Sequence, residues 1–160
     1  MNKEDLLHKI IATLTADLMV LSEAARTAHA AATHSECLPD NKYDTTGLEA
    51  SYVAQGQANR AQEIRQSLES YRKLTLLSFD DGAFIRLTAY VTIETDDGSC
   101  RDVFLGPDAG GLKLIEGDTE CIVITPESPL GRALLGKICG DEIYIGNGAS
   151  RKTFTIVAVV

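Results

Sequence analysis

The sequence predicts an α+β protein in which an N-terminal antiparallel coiled-coil hairpin precedes a small antiparallel-sheet domain with one short helix. Three observations carry this prediction: an apolar repeat of 3.5 residues in the first half of the 160-residue chain, a change to two-residue alternation near Leu76, and one well-capped short helix further on. We predict two domains, residues 1–75 and residues 76–160, with the tip of the hairpin at about residues 37–46.

The apolar repeat occupies eight positions in each of two segments, spaced alternately by four and three residues. The first set is Leu7, Ile11, Leu14, Leu18, Leu21, Ala25, Ala28 and Ala32. The second set is Ala50, Ala54, Gln57, Ala61, Ile64, Leu68, Tyr71 and Thr75. The position numbers of every mirrored pair total 82, as 7 and 75 do, which two antiparallel helices of one hairpin require. The alanines near the turn let the helix axes approach closely, so we expect a long hairpin that thins toward its tip.

The two helices of the hairpin are predicted over about residues 3–36 and 46–73. Pro39 ends the first helix, because the residue before a proline is disfavoured in helical geometry. The candidate N-caps of the second helix are Asp44, Thr45 and Thr46. Gly56 lies inside the second helix at a cost of about 1 kcal/mol relative to alanine. We expect it to provide clearance in a narrow part of the hairpin.

The second half of the chain alternates apolar and polar residues between turn signals, which is typical of half-buried strands. The predicted strands cover about residues 84–94, 102–105, 112–115, 120–125, 142–145 and 153–159. One short helix stands out, because Ser128 suits the N-cap, Pro129 the first helical position and Gly136 the C-terminal cap.

The composition restricts the classes of partner. The net charge is −8, from 23 acidic and 15 basic residues, so the chain lacks the basic footprint that direct binding to nucleic acid needs and favours a basic partner surface. The chain contains no apolar run long enough for a membrane span and opens without a secretory signal. Its four cysteines are widely spaced, with no pattern of metal-binding type. We therefore expect a cytoplasmic protein with reduced thiols and no membrane partner.

Acidic residues gather around the predicted tip of the hairpin. They are Glu36, Asp40, Asp44 and Glu49. Carboxylates at the end of a rigid arm can complete the oxygen shell of Mg²⁺ or orient an attacking water. The alternative is an ordinary solvated turn, where Asp, Asn and Pro are common. The sequence contains no Ser/His/Asp or Cys/His arrangement, so we predict that the chain is not itself an enzyme.

Residues 124–137 read ITPESPLGRALLGK and resemble the signature of the GreA/GreB transcript cleavage factors. The matching positions are Ser128, Pro129, Leu130, Arg132, Leu134, Leu135, Gly136 and Lys137. The order of parts is similar as well, because in that family a coiled-coil arm precedes a small α+β domain of FKBP-like fold. The resemblance implies that the second domain has this FKBP-like fold.

The resemblance also implies a function and a partner. Gre factors dock their C-terminal domain at the rim of the RNA polymerase secondary channel and insert the coiled coil toward the active site. Two tip acids then help to hold a second Mg²⁺, and the polymerase hydrolyses backtracked RNA. By this resemblance RNA polymerase is the partner of a monomer that has no cofactor of its own and shares Mg²⁺ with the polymerase. The implied contacts to the partner are Ser128, Pro129, Leu130, Arg132, Gly136 and Lys137.

The tip departs from the family pattern. The family has Asp-x-x-Glu-Asn there, whereas Tyr43 follows Asp40 by three residues and Gly47 follows Asp44 by three. Asp44 is our first candidate for the metal contact, followed by Asp40 and Glu49. A regulator that occupies the channel without stimulating cleavage is the alternative.

Two functions of other classes are more remote. A prolyl isomerase needs an aromatic-lined pocket, and the chain has no Trp, four Phe and five Tyr. A chaperone-like arm needs exposed apolar residues at the tip, where Leu38 and Tyr43 are available.

Overall fold

The computed structural model describes residues 2–33, 45–80 and 82–160, and it divides into two compact units. One unit is Ile11–Glu69, and the other combines Met1–Ile10 with Ser70–Val160. The first unit contains most of a helical hairpin, whose helices are α1 (Lys3–Thr33) and α2 (Thr46–Arg72). The second contains a sheet with one short helix, so the predicted fold class is confirmed.

Burial confirms part of the predicted seam. On α2 the buried seam positions are Ala54, Ala61, Ile64, Leu68 and Tyr71, whereas Thr75 lies beyond the helix and is exposed. At the start of α1 the buried residues are Leu6 and Ile10, where Leu7 and Ile11 were predicted. Alanines from both helices line a shared cleft in the hairpin unit, where Ala25 of α1 lies beside Ala54 and Ala58 of α2. Small side chains therefore line the space between the two helices in this part of the hairpin, as the graded repeat predicts.

The structure gives Gly56 no packing role. A Cβ atom added at this position would meet no described heavy atom within 4 Å, and the residue is exposed. The expectation that Gly56 provides clearance is therefore wrong. The glycine only lowers the helical propensity of an exposed stretch of α2.

Six strands form one sheet in the second unit, with the order β3-β4-β2-β1-β6-β5. Their bounds are β1 (Tyr90–Thr95), β2 (Cys100–Leu105), β3 (Lys113–Glu116), β4 (Thr119–Ile124), β5 (Glu142–Ile145) and β6 (Lys152–Val159). Neighbouring strands pair antiparallel except β2 and β4, which are parallel. The helix α3 (Pro129–Leu134) follows β4.

The first strand begins later than the predicted range of residues 84–94, because the chain turns at Thr88. This residue has a φ of 73°, a left-handed conformation that interrupts an extended strand. Its N–H donates to the carbonyl of Leu105 at 2.8 Å, and its hydroxyl accepts from the N–H of Leu77 at 3.0 Å. Thr88 is buried, so these bonds satisfy its polar groups in the interior.

The sheet has a buried layer on each face. One layer holds the core cluster, which includes Val91, Val103, Leu134 of α3 and Ile156. Strand alternation places Tyr90, Phe104 and Cys121 on the opposite face, and they are also buried. Burial raises the pKa of the Cys121 thiol to about 12, so this cysteine is a protonated core residue at neutral pH.

The end of α2 is anchored by Tyr71, which is fully buried. Its hydroxyl donates to the main-chain carbonyl of Asp108 at 2.7 Å. Gly106 leaves the space for that hydroxyl, since a Cβ atom there would lie 2.1 Å from the phenolic oxygen. Burial, and secondarily the charge of Asp108, raises the pKa of Tyr71 well above its usual value of 10.0.

The start of α1 is held by Lys3. Its ammonium donates to the carbonyls of Leu77 and Thr88, the latter at 3.3 Å. The same Nζ lies 4.7 Å from the ring centroid of Phe79, within the range of a cation–π interaction. Burial lowers the pKa of Lys3, while the two carbonyls give the partly buried charge its hydrogen-bond partners.

We expect Tyr71 to make stability fall at alkaline pH. Below about pH 10 the phenol is protonated in both states, whereas above it the unfolded chain loses a proton that the folded chain keeps, which costs up to about 1.4 kcal/mol per pH unit. Urea unfolding between pH 8 and pH 11.5 should show a shallower decline for Tyr71→Phe than for the wild type. Equal slopes above pH 10 would contradict this role of Tyr71.

Candidate functional site

The helix α3 is built by the residues that precede it. The hydroxyl of Ser128 accepts from the N–H of Gly131 at 3.0 Å and donates to the carbonyl of Thr125 at 2.8 Å. Pro129 occupies the first helical position, where no N–H is needed. Gly136, just beyond the helix, has a φ of 75°. The predicted N-cap and first helical residue are confirmed, and the conformation of Gly136 suits the end of a helix.

Gly131 is the residue that allows α3 to pack here, although it is not among the matching positions of the signature. A Cβ atom at Gly131 would lie 1.9 Å from the carbonyl oxygen of Thr125 and 2.8 Å from its carbon. The obstacle is main chain rather than a flexible side chain, so a substitution must shift the backbone. The sequence feature that could have revealed this close packing is a glycine in the first turn of a six-residue helix.

The structure separates the six implied partner contacts into two groups. Ser128 uses its hydroxyl in the cap, and Leu130 packs against the core cluster. Pro129, Arg132 and Lys137 are exposed, as is the backbone of Gly136. The first group therefore holds α3 in place, and the second presents groups that a partner can reach.

A strip of chain before β1 lies directly beside this segment. The N–H of Ile85 donates to the carbonyl of Lys137 at 2.8 Å, and the N–H of Gly136 donates to the carbonyl of Ile85 at 2.9 Å. Ile85 is buried, whereas the adjacent Phe84 is 68% exposed. We define the docking surface as Phe84, Arg132, Leu135 and Lys137.

Phe84 was expected at the start of a half-buried strand over about residues 84–94, and this bound is wrong, because β1 begins at Tyr90. The turn at Thr88 takes residues 84–86 out of the strand. The main chain of Ile85 pairs with Gly136 and Lys137, and the side chain of Ile85 is buried. Leu135 is 37% exposed. Arg132 and Lys137 form no ion pair with any carboxylate in the described part of the chain. Two exposed apolar side chains and two cations without an ion pair among the described residues thus lie on two adjoining segments of the chain.

Of the three candidate tip acids, the described residues include only Glu49. Asp40 and Asp44 lie outside them. Glu49 is exposed in the first turn of α2, where its N–H donates to the carbonyl of Thr45 at 2.9 Å. The hydroxyl of Thr45 donates to the Glu49 carboxylate at 3.2 Å. Thr45 thus stands at the N-cap position, directly before α2, with its carbonyl accepting a main-chain hydrogen bond of the helix, while its hydroxyl contacts one oxygen of Glu49.

The described residues supply one exposed tip carboxylate toward an Mg²⁺ ion. Within residues 2–33, 45–80 and 82–160, no three His, Cys, Asp or Glu side chains are placed together to hold a metal. The donor chemistry of Glu49 fits a single oxygen ligand to a magnesium ion that is held mainly by other groups. Across the same residues, no helix is long and apolar enough to cross a membrane.

Comparison with known proteins gives the class of protein to which part of this sequence is similar. No family model matches the chain. The transcription elongation factor GreA of Maridesulfovibrio salexigens is 36% identical over 81 residues. This match covers 49% of the chain and 46% of the relative, so the matched segment spans about half the length of that curated protein. The resemblance to the GreA/GreB factors is confirmed by this match.

Three solved structures align with the chain. A structure of the transcription factor Gfh1 is 26% identical, with 96% of this chain and 92% of that one covered and a TM-score of 0.41. GreA factor homolog 1 of Thermus thermophilus is 25% identical, with 94% of each chain covered and a TM-score of 0.39. A GreA/GreB factor from Nitrosomonas europaea is 18% identical, with 74% and 95% covered and a TM-score of 0.34.

We expect Gly131→Ala to destabilise the sheet unit by about 3 kcal/mol or more, because the added methyl group overlaps the main chain at Thr125. Gly56→Ala is the matched control and should stabilise α2 by about 1 kcal/mol, since its methyl group enters open space. Guanidinium unfolding followed by circular dichroism measures both effects. A Gly131→Ala protein as stable as the wild type would contradict the packing described for α3.

Proposed function

We propose that this chain is a Gre-like transcription elongation factor that binds RNA polymerase at the secondary channel and inserts its coiled coil toward the active site. The observation that supports this function best is the segment from Ser128 to Lys137. It matches the family signature, it folds into a capped helix, and it leaves Arg132 and Lys137 uncommitted at the surface.

The docking surface has the composition of a protein interface. Phe84 and Leu135 offer exposed apolar area, and an aromatic side chain is a common anchor of binding energy. Arg132 and Lys137 give this surface a local positive charge on a chain whose net charge is −8. The complementary partner surface is therefore apolar with acidic groups around it.

The remaining acidity of the chain suits a basic channel, which would attract the hairpin at long range. In this function the protein acts as a cytoplasmic monomer and carries no cofactor of its own. It is not an enzyme, because the hydrolysis takes place in the active site of the polymerase and uses magnesium bound there.

The docking surface gives a first test. Replacing Arg132 and Lys137 together by Gln should weaken binding to RNA polymerase about tenfold or more, because the two cations face the proposed partner. Phe84→Ser should weaken it by a similar factor through loss of the apolar anchor. Affinity is measured with fluorescently labelled protein and core polymerase.

The matched control replaces Arg101 and Arg151 by Gln. It removes the same two charges from exposed positions elsewhere in the sheet unit, so it should retain the affinity of the wild type. If both double variants lose affinity equally, binding depends on overall charge, and the docking surface is not the contact.

A second candidate function is a secondary-channel regulator that does not stimulate cleavage. One observation favours it: the family spacing of tip acids is absent.

Backtracked elongation complexes separate the two functions. If the tip supports cleavage, the wild-type protein shortens the RNA, and Asp44→Asn slows this shortening about tenfold or more, with smaller effects for Asp40→Asn and Glu49→Gln. Asp17→Asn, an exposed acid on α1, is the control and should match the wild type. Unchanged RNA in complexes that demonstrably bind the protein would exclude cleavage and leave the regulator.

A further inference from the structure

The loop between β5 and β6 contains the one asparagine of the sequence that is followed by glycine, Asn147. The chain has four asparagines, and Lys or Arg follows each of the other three. Asparagine is thermolabile because the backbone nitrogen of the next residue can attack its side-chain amide. A glycine at that next position places no side chain in the path of attack and leaves the backbone free to rotate. The pair of Asn147 and Gly148 therefore has the chemistry of a deamidation site.

Neither reacting group of this pair is held by a hydrogen bond within the described part of the chain. Asn147 is exposed, and its side chain makes no capping bond to the 3₁₀ turn Gly148–Ser150 that follows it. The N–H of Gly148 donates to no acceptor among the described residues. A Cβ atom at Gly148 would meet no heavy atom within 4 Å, so the space around the attacking nitrogen is open.

Ring closure requires rotation about the Cα–C bond of Asn147, which is extended with a ψ of 149°. The carbonyl of Asn147 makes its contacts with Ser150, whose N–H donates to it at 3.3 Å and whose hydroxyl donates at 2.9 Å. The first of these bonds is longer than the usual range, so it opposes the rotation weakly. The pairing of β5 with β6 ends at Ile145 and Lys152, so the rotation takes place outside the paired residues.

Asn59 has the opposite environment and provides an internal comparison. It lies inside α2 and is followed by Arg60. Its Oδ1 atom accepts from the Nε2 atom of Gln55 at 2.7 Å. The main-chain nitrogen of Arg60 belongs to the helix, where its N–H is part of the regular hydrogen-bond ladder and the backbone cannot turn toward the side chain. Both the amide and the neighbouring nitrogen are therefore restrained at Asn59.

We propose that Asn147 is a site of spontaneous deamidation in the folded protein. The nitrogen of Gly148 forms a bond to Cγ of Asn147, and the bond from Cγ to Nδ2 breaks. The amide nitrogen leaves as ammonia, taking up the proton that the attacking nitrogen loses. Water then opens the succinimide ring at either of its two carbonyls and gives aspartate or isoaspartate at position 147. The site lies apart from the docking surface and does not depend on the proposed function.

The products change the loop that closes the β5–β6 hairpin. Both add a negative charge to a loop that ends at Arg151, whose guanidinium carbon lies 3.9 Å from the ring centroid of Tyr144. Isoaspartate also lengthens the main chain by one methylene group and displaces the carbonyl that Ser150 binds. We therefore expect the amide signals of residues 145–152 to shift in the converted protein, while those of residues 128–137 stay in place.

Peptide mapping of the full-length protein by mass spectrometry tests the site. The protein is incubated at 37 °C at neutral and at alkaline pH, and aspartate and isoaspartate products are separated by chromatography. Conversion at Asn147 should be about tenfold or more faster than at Asn59, and it should accelerate with pH because the attacking nitrogen must lose its proton. Gly148→Ala should slow the conversion about tenfold or more, since the added methyl group restricts the backbone.

Gly117→Ala is the matched control. Gly117 is an exposed turn glycine with a φ of 58°, against 57° at Gly148, and an added Cβ atom meets open space at both positions. This variant has the same backbone strain and should leave the rate at Asn147 unchanged. Equal conversion at Asn147 and Asn59, or equal slowing by the two alanine variants, would overturn the site. Faster conversion in Gly117→Ala would overturn it as well, because the reaction would then proceed through the unfolded chain.

Discussion

The buried turn at Thr88 is the constraint on which the architecture of the sheet unit depends. Its N–H, its hydroxyl and its carbonyl bind three different parts of the unit: Leu105 at the end of β2, Leu77 in the connection after α2, and Lys3 at the start of α1. The left-handed conformation that makes these bonds compatible also ends the extended chain before β1. One residue thereby joins the sheet, the connecting segment and the first turn of the N-terminal helix.

The turn also determines what the surface beside α3 presents. Because residues 84–86 leave the strand, Ile85 pairs with the chain at Gly136 and Lys137 instead of with a sheet neighbour. The side chain of Phe84 is then exposed, next to residues 128–137. The exposure of Phe84 is thus a product of backbone conformation rather than of the signature itself.

The sequence predicts the regular parts of the fold well, because they depend on periodicity. The seam of α2, the bounds of β5 and the cap formed by Ser128 and Pro129 all follow from local patterns. The late start of β1 could not be predicted, because alternation continues through Thr88 while long-range hydrogen bonds hold it in a turn.

The candidate sites are harder to predict for the same reason. The exposure of Phe84 depends on the pairing of Ile85 with a distant segment of the chain, and no short pattern in the sequence encodes that proximity. The sequence offers Thr45 only as one of three candidate N-caps and does not indicate its contact with Glu49. Asp40 and Asp44 lie outside the described residues.

The contact between Gly131 and the carbonyl of Thr125 has a consequence for the surface of α3. It fixes the position of α3 because the main chain at Gly131 packs directly against the main chain at Thr125. The side chains of Leu130 and Leu134 pack in the core cluster beneath the helix. The outward side chains of the helix contribute little to holding it there. A substitution at an outward position such as Arg132 therefore changes the chemistry of the surface while the fold beneath it stays the same.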